Sequence, residues 1–113
     1  MPQIIKKVVD ITKEDKTAIS TIVNTQLQNI PNLVQFSENE NVRENLGISS
    51  SFDFVMGIVY DGMLVSINNY FLQKMKIKQP TREQFMEIME VATSETLSSL
   101  TEIKSEIKKQ LNN

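Results

Sequence analysis

The chain contains no cysteine and no histidine. Without cysteine there is no disulfide, no thiolate nucleophile and no zinc–thiolate site. Small secreted domains commonly lean on disulfides, so the expected setting is a reducing compartment, the cytoplasm. Without histidine the usual general base near neutral pH is missing, together with the commonest transition-metal ligand. Ser–His, Cys–His and His–metal mechanisms are thereby excluded. Phosphate-binding glycine loops and lipidation motifs are missing too. The N-terminus, MPQIIKKVVDITKED, has no long apolar run and does not read as a signal peptide.

What is present fits one folded domain spanning residues 1–113. Hydrophobic residues make up 40% and charged residues 23%, the balance of an ordinary globular chain. At this length roughly two-thirds of the unfolded surface can be buried, enough for a modest core. The net charge of −2 and pI near 5.1 argue against a surface that grips phosphate all round. One stretch, Phe54 to Leu72, is about long enough to span a membrane. Asp61, Asn68 and Asn69 within it would be costly in hydrocarbon, so the expectation is a buried helix and no membrane.

Hydrophobic spacing and capping signals divide the chain into helices. Residues 3–11 carry Ile4, Ile5, Val8, Val9 and Ile11 and read as helix or short strand, or as an arm docked on the body. Thr12 with Asp15 resembles a capping box. Ile19, Ile22, Val23, Leu27 and Ile30 then form one stripe, which predicts a helix over 13–29 stopped by Pro31. Residues 31–36 are expected as a connector. Ser37 with Glu40, closed by Gly47, predicts a short polar helix over 38–46. Ser50 with Asp53 caps the most apolar segment, read as a central helix over about 52–77, apolar on nearly every face. Asp61-Gly62 is also a hairpin signal, which makes an α+β fold the alternative. The flanks do not alternate, and the run continues at helical spacing, so the reading is all-α: a small helical bundle.

Thr81 with Gln84 caps the last segment, which has no proline or glycine over 82–111. Its stripe is Phe85, Met89, Ala92, Thr96, Leu100, Ile103, Ile107 and Leu111, and from Met89 on the eleven-residue spacing favours a nearly straight seam. One helix of that length would be roughly 45 Å long. A chain of about 100 residues has a radius of gyration near 13 Å when compact, so the helix should overhang. The overhanging stripe is the expected oligomer interface, with a second copy as the simplest partner.

Glu83, Glu87 and Glu90 share a helix face, as magnesium-binding carboxylates do in helical nucleotide hydrolases, but such a site needs acids from a facing helix. Asp53 and Asp61 are the only acids on the central helix, about 80° apart. Asp61 must be paired if it is buried, and Gly57 and Gly62 beside it form a candidate notch where a helix crosses closely or a ligand binds. Lys74, Lys76, Lys78 and Arg82 form a basic corner, either complementing a helix C-terminus or contacting nucleic acid. No aromatic side chain interleaves with them to stack on bases. Met56, Met63, Met75, Met86 and Met89 read as core filling before they read as an adaptable groove. The function expected is a non-catalytic helical interaction module that self-associates as a dimer, requires no cofactor or metal, and takes a protein partner sooner than nucleic acid.

Overall fold

Each of the first four helices begins where a short polar side chain caps it. A computed structural model describes residues 11–112, and among these every regular element is helical. Helix α1 (Lys13–Glu38) starts at Thr12, whose hydroxyl accepts from the Asp15 N–H at 3.1 Å while the Asp15 carboxylate accepts from the Thr12 N–H at 2.9 Å. Helix α2 (Glu40–Leu46) starts at Asn39, which accepts from the Val42 N–H, and ends at Gly47 in the left-handed region, φ 66°. Helix α3 (Ser51–Lys74) is capped by Ser50, and α4 (Arg82–Ser98) by the reciprocal pair Thr81 and Gln84. Helix α5 (Leu100–Leu111) follows after one residue, Ser99, with no side-chain cap.

The fold class is all-α, and the hairpin alternative fails: α3 runs through Asp61-Gly62 without interruption. It ends at Lys74 rather than at 77, where Lys76 adopts a positive φ of 56°. Three boundaries differ more deeply. Pro31 does not stop α1, which continues to Glu38. The proline sits on the exposed side, while Ile30 and Val34 on the inner side are buried. Burying a residue of this kind contributes roughly 1.5–3 kcal/mol, comparable with the ~3 kcal/mol that an interior proline costs. The expected connector over 31–36 is therefore helix, and Asn39 takes the capping role assigned to Ser37. The Ser37 hydroxyl instead donates to the Val34 carbonyl at 2.8 Å, and the residue is buried.

The long last helix is two helices. Around Ser99, φ −98° and ψ 0°, the backbone tightens: its N–H donates to Thr96 O at 3.1 Å. Thr96, Ser98 and Ser99 all turn their hydroxyls back onto the carbonyls of Ala92, Ser94 and Glu95. Such back-bonding competes with the main-chain ladder and bends helices.

Helices α1 and α3 form an antiparallel pair. Asp15 meets Tyr70 and Lys74, Gln26 lies against Gly62, and Phe36 stacks on Phe54, so positions rise on one helix as they fall on the other. Along α3 the buried residues recur every four: Ser51, Val55, Val59, Met63, Ile67 and Phe71. The solvent side also recurs every four: Asp53, Gly57, Asp61, Val65, Asn69 and Gln73. A four-residue step drifts by about 40° around a helix of 3.6 residues per turn. The dry stripe therefore winds around α3 and needs more than one partner along its length. Helix α1 runs along it, α4 starts from its Lys74 end, and α5 reaches its beginning, where the Lys108 ammonium lies 5.9 Å from the Phe52 ring centre. Helix α3 is apolar on nearly every face, Val65 in the wet stripe included, but the expectation that the other helices enclose it as a central helix is corrected by this stripe.

The bundle measures 51 × 28 × 27 Å with a radius of gyration of 16.5 Å. This elongation removes the expected overhang. A rod-shaped body takes α4 and α5 end to end along its long axis, where a near-spherical one could not.

Candidate functional site

The most enclosed polar cluster joins the beginning of α1 to the end of α3. The Asp15 side chain is fully buried. Lys74 Nζ donates to both its oxygens, at 2.9 and 2.7 Å, and the Tyr70 hydroxyl donates to Oδ1 at 2.7 Å. Burial acts to raise the Asp15 pKa, but the Lys74 ammonium, the Thr12 backbone N–H and the Tyr70 hydroxyl outweigh it and hold the carboxyl well below the usual carboxylate range. The same contacts push the Tyr70 hydroxyl up, first through its hydrogen bond to Asp15 and then through burial. The chain's own groups surround this carboxylate. It acts as a clasp between two helices, with no direction left for a substrate.

This clasp changes the meaning of the basic corner. Lys74 is engaged with Asp15 and lies 5.8 Å from the Phe71 ring centre. Lys76, Lys78 and Arg82 are exposed around the turn into α4. Among the described residues the buried acid is thus Asp15, whereas Asp61 stands on the wet stripe of α3. The two glycines near it form no notch. A Cβ at Gly57 would meet nothing within 4 Å. At Gly62 the close neighbour is the Gln26 side-chain amide, 3.0–3.3 Å from such a Cβ, rather than a crossing backbone. Glu83 and Glu90 are exposed and Glu87 is half-buried, and among the described residues no cluster of three or more acidic side chains converges to hold a metal ion.

The seam expected as an oligomer interface lies mostly inside the monomer. Ala92, Thr96, Ile103 and Ile107 are fully buried, with Met89, Leu100 and Leu111 half-buried beside them. Residues already packed in their own core cannot also meet a second copy. Leu46, Val65 and Phe36 are bare singly elsewhere, and one flank over on α4 Met86, Met89, Thr93 and Leu97 line a shallow groove with Glu90 and Ser94 at its edge. Met86 is 59% exposed and Leu97 52%. The spacings of three, four and four place these side chains on one helix face. Phe85 is also bare, although it shares the face of buried Ile88, Ala92 and Thr96, so the core face of α4 begins a turn before there is a core to meet.

No family model matches the chain, and neither curated proteins nor solved structures yield a match. The site must be read from its own chemistry. Sequence reasoning missed the clasp because the Thr12–Asp15 box reads as local capping, and nothing in the chain announces that Lys74, 59 positions on, returns to it. Of the methionines read as core filling before an adaptable groove, Met63 is core, whereas Met86 and Met89 line the groove; Leu97 lies outside the apolar stripe of α4 and carries no signal of its own.

Proposed function

We propose that the protein is a non-catalytic helical interaction module whose binding face is the Met86–Leu97 flank of α4. The observation that carries this reading is the exposure of Met86 and Leu97 on one face of α4, where with Met89 and Thr93 they line a groove. Large exposed apolar side chains that are contiguous mark association surfaces more often than scattered ones do. The partner that fits is an amphipathic helix with a basic edge. Glu90 borders the groove, and Glu83 and Glu87 continue the same sign along α4, whose sole basic residue is Arg82. A second copy fits less well, because antiparallel pairing about this face brings the two Glu90 carboxylates together.

The test uses an amphipathic leucine–lysine helical peptide as probe and follows backbone amide shifts. The expected result is perturbation centred on Met86, Met89, Thr93 and Leu97, abolished by Met86→Glu with Leu97→Glu. That double variant adds negative charge while removing apolar contact, so binding that survives it would be charge attraction alone and would sink the proposal. Mass by light scattering across a concentration range separates the second reading: a dimer lost in the same variant would make another copy the occupant.

A further inference from the structure

Charge is spread unevenly over the helices. No charged residue lies between Lys16 and Glu38 on α1, and Asp61 is the sole one between Asp53 and Lys74 on α3. Along α4 and α5 charged residues recur throughout. The outer side of the α1–α3 pair is nonetheless in water, with Thr21, Thr25, Asn29 and Asn32 exposed on α1. Depletion of charge, more than apolarity, is what distinguishes the core of a protein–protein interface from other surface. The apolar side chains on this face stand apart from one another: Phe36 is 47% exposed, Ile58 38% and Val65 50%. The hydroxyls of Thr17, Thr21 and Thr25 donate to carbonyls one turn back, so covering them orphans no donor. Gly57 lies on the same stripe as Asp61 and Val65, and a Cβ there would meet nothing within 4 Å. Glycine is disfavoured inside a helix relative to alanine. No contact within the chain requires it at this position, whereas close passage of a second backbone would.

We propose that this outer face is a self-association interface, in which α3 of each copy lies on α1 of the other. Charge selects the occupant. A face whose sole charge is Asp61 offers little attraction to nucleic acid, an anionic membrane or a charged peptide, and little repulsion to its own copy. Size agrees. From Ala18 to Phe36 the face is about 27 Å long and two helices wide, about 20 Å. The projected area is about 540 Å² per copy and about 1,100 Å² for the pair, which clears the roughly 1,000 Å² expected of a specific interface. Asp61 then decides the pairing. Stacking α3 on α3 would bring two carboxylates together, which is unfavourable. A two-fold axis parallel to the helices sets α3 on α1 of the other copy at the same height instead. Gln26 lies against Gly62 in the monomer, so Asp61 comes opposite Thr25 and Asn29 of the second copy, where an amide can donate to it. The contact uses no residue of α4 and does not rest on the reading of its groove.

Sedimentation equilibrium over a wide concentration range tests this. The expected result is a monomer–dimer equilibrium, weakened at least tenfold by Ile58→Glu with Val65→Glu. Both side chains are exposed in the monomer, so the melting curve of the dilute chain should not move. Gly57→Ala should weaken the dimer several-fold while raising the melting temperature of the dilute chain. Met86→Glu with Leu97→Glu should leave the dimer intact, which keeps the two proposals separable. A chain that stays monomeric up to millimolar concentration would overturn the proposal. So would a dimer that survives Ile58→Glu with Val65→Glu, or one lost only with the α4 substitutions. The absence of cysteine lets the pairing be read directly. Asp61→Cys chains mixed with Asn29→Cys chains should form an intermolecular disulfide on oxidation at least fivefold faster than either variant alone. Asp61→Cys chains that link to one another as fast would place α3 on α3 and overturn the arrangement.

Discussion

At the Lys74 end of the α1–α3 pair a buried carboxylate joins the helices, whereas at the Ser51 end, where Val34 and Val55 are buried, the ring pair beside them stays partly open to water. Asp15 accepts from Thr12, Tyr70 and Lys74 in directions set by geometry. Phe36 and Phe54 lie 6.3 Å apart between ring centres, with Phe36 47% exposed. The first end specifies a register, because a carboxylate shifted by one residue would lose its donors while remaining out of water. The ring pair adds less to register, because ring contacts are broad in angle and part of the surface stays wet.

Removing the clasp should have the largest effect. Asp15→Ala takes away a helix cap and leaves Tyr70 and Lys74 without their acceptor, with an expected loss of about 2–3 kcal/mol in urea unfolding. Lys74 is 38% exposed on its side chain and can turn toward water, which keeps the loss below that of a fully buried pair. A loss below about 0.5 kcal/mol would mean that the clasp adds nothing to the register argument.

Acid should open the same end without mutation. The folded Asp15 carboxyl titrates below its unfolded value of about 3.9, so its stabilisation is complete above that pH and is lost as pH falls toward the depressed folded value. Tyr70 is shifted the other way. Its contribution is complete below its unfolded value of about 10 and is lost as pH rises through the higher folded one. Melting curves should therefore fall more steeply below about pH 4 in the wild type than in Asp15→Asn. Equal slopes would show that other carboxylates govern acid unfolding.

The Ser51 end offers smaller changes of both signs. Pro31→Ala should stabilise by about 1–2 kcal/mol, since alanine restores an N–H to the helix interior while giving back some unfolded-state freedom. A lower melting temperature would show that the proline's shape is required there. Phe36→Ala should cost under about 1 kcal/mol, because half of the ring is already solvated. A loss matching that of Asp15→Ala would erase the contrast between the two ends.

Local chemistry was the legible part of the sequence. The boxes at Thr12 and Thr81 and the left-handed Gly47 stand where the residue types require them, since each depends on neighbours within three or four positions. What was not legible depends on distant partners. Pro31 reads as a stop until Ile30 and Val34 are seen to find a core. Asp61 draws attention by sitting in an apolar run, yet the drifting stripe of α3 leaves it in water while Asp15 is the acid that is buried. The seam from Met89 to Leu111 has the pattern of an interface, and a pattern of apolar residues does not say whether its cover comes from the same molecule.

The two interleaved stripes of α3 make the helix forgiving of composition and intolerant of length. Exchange of Gln73 disturbs only the water beside it. One residue added near Asp61 would instead rotate everything downstream by about 100°, carrying Tyr70 and Lys74 away from Asp15. Drift among related chains should therefore proceed in this helix by replacement, with insertions and deletions confined to the turns at 47–50 and 75–81.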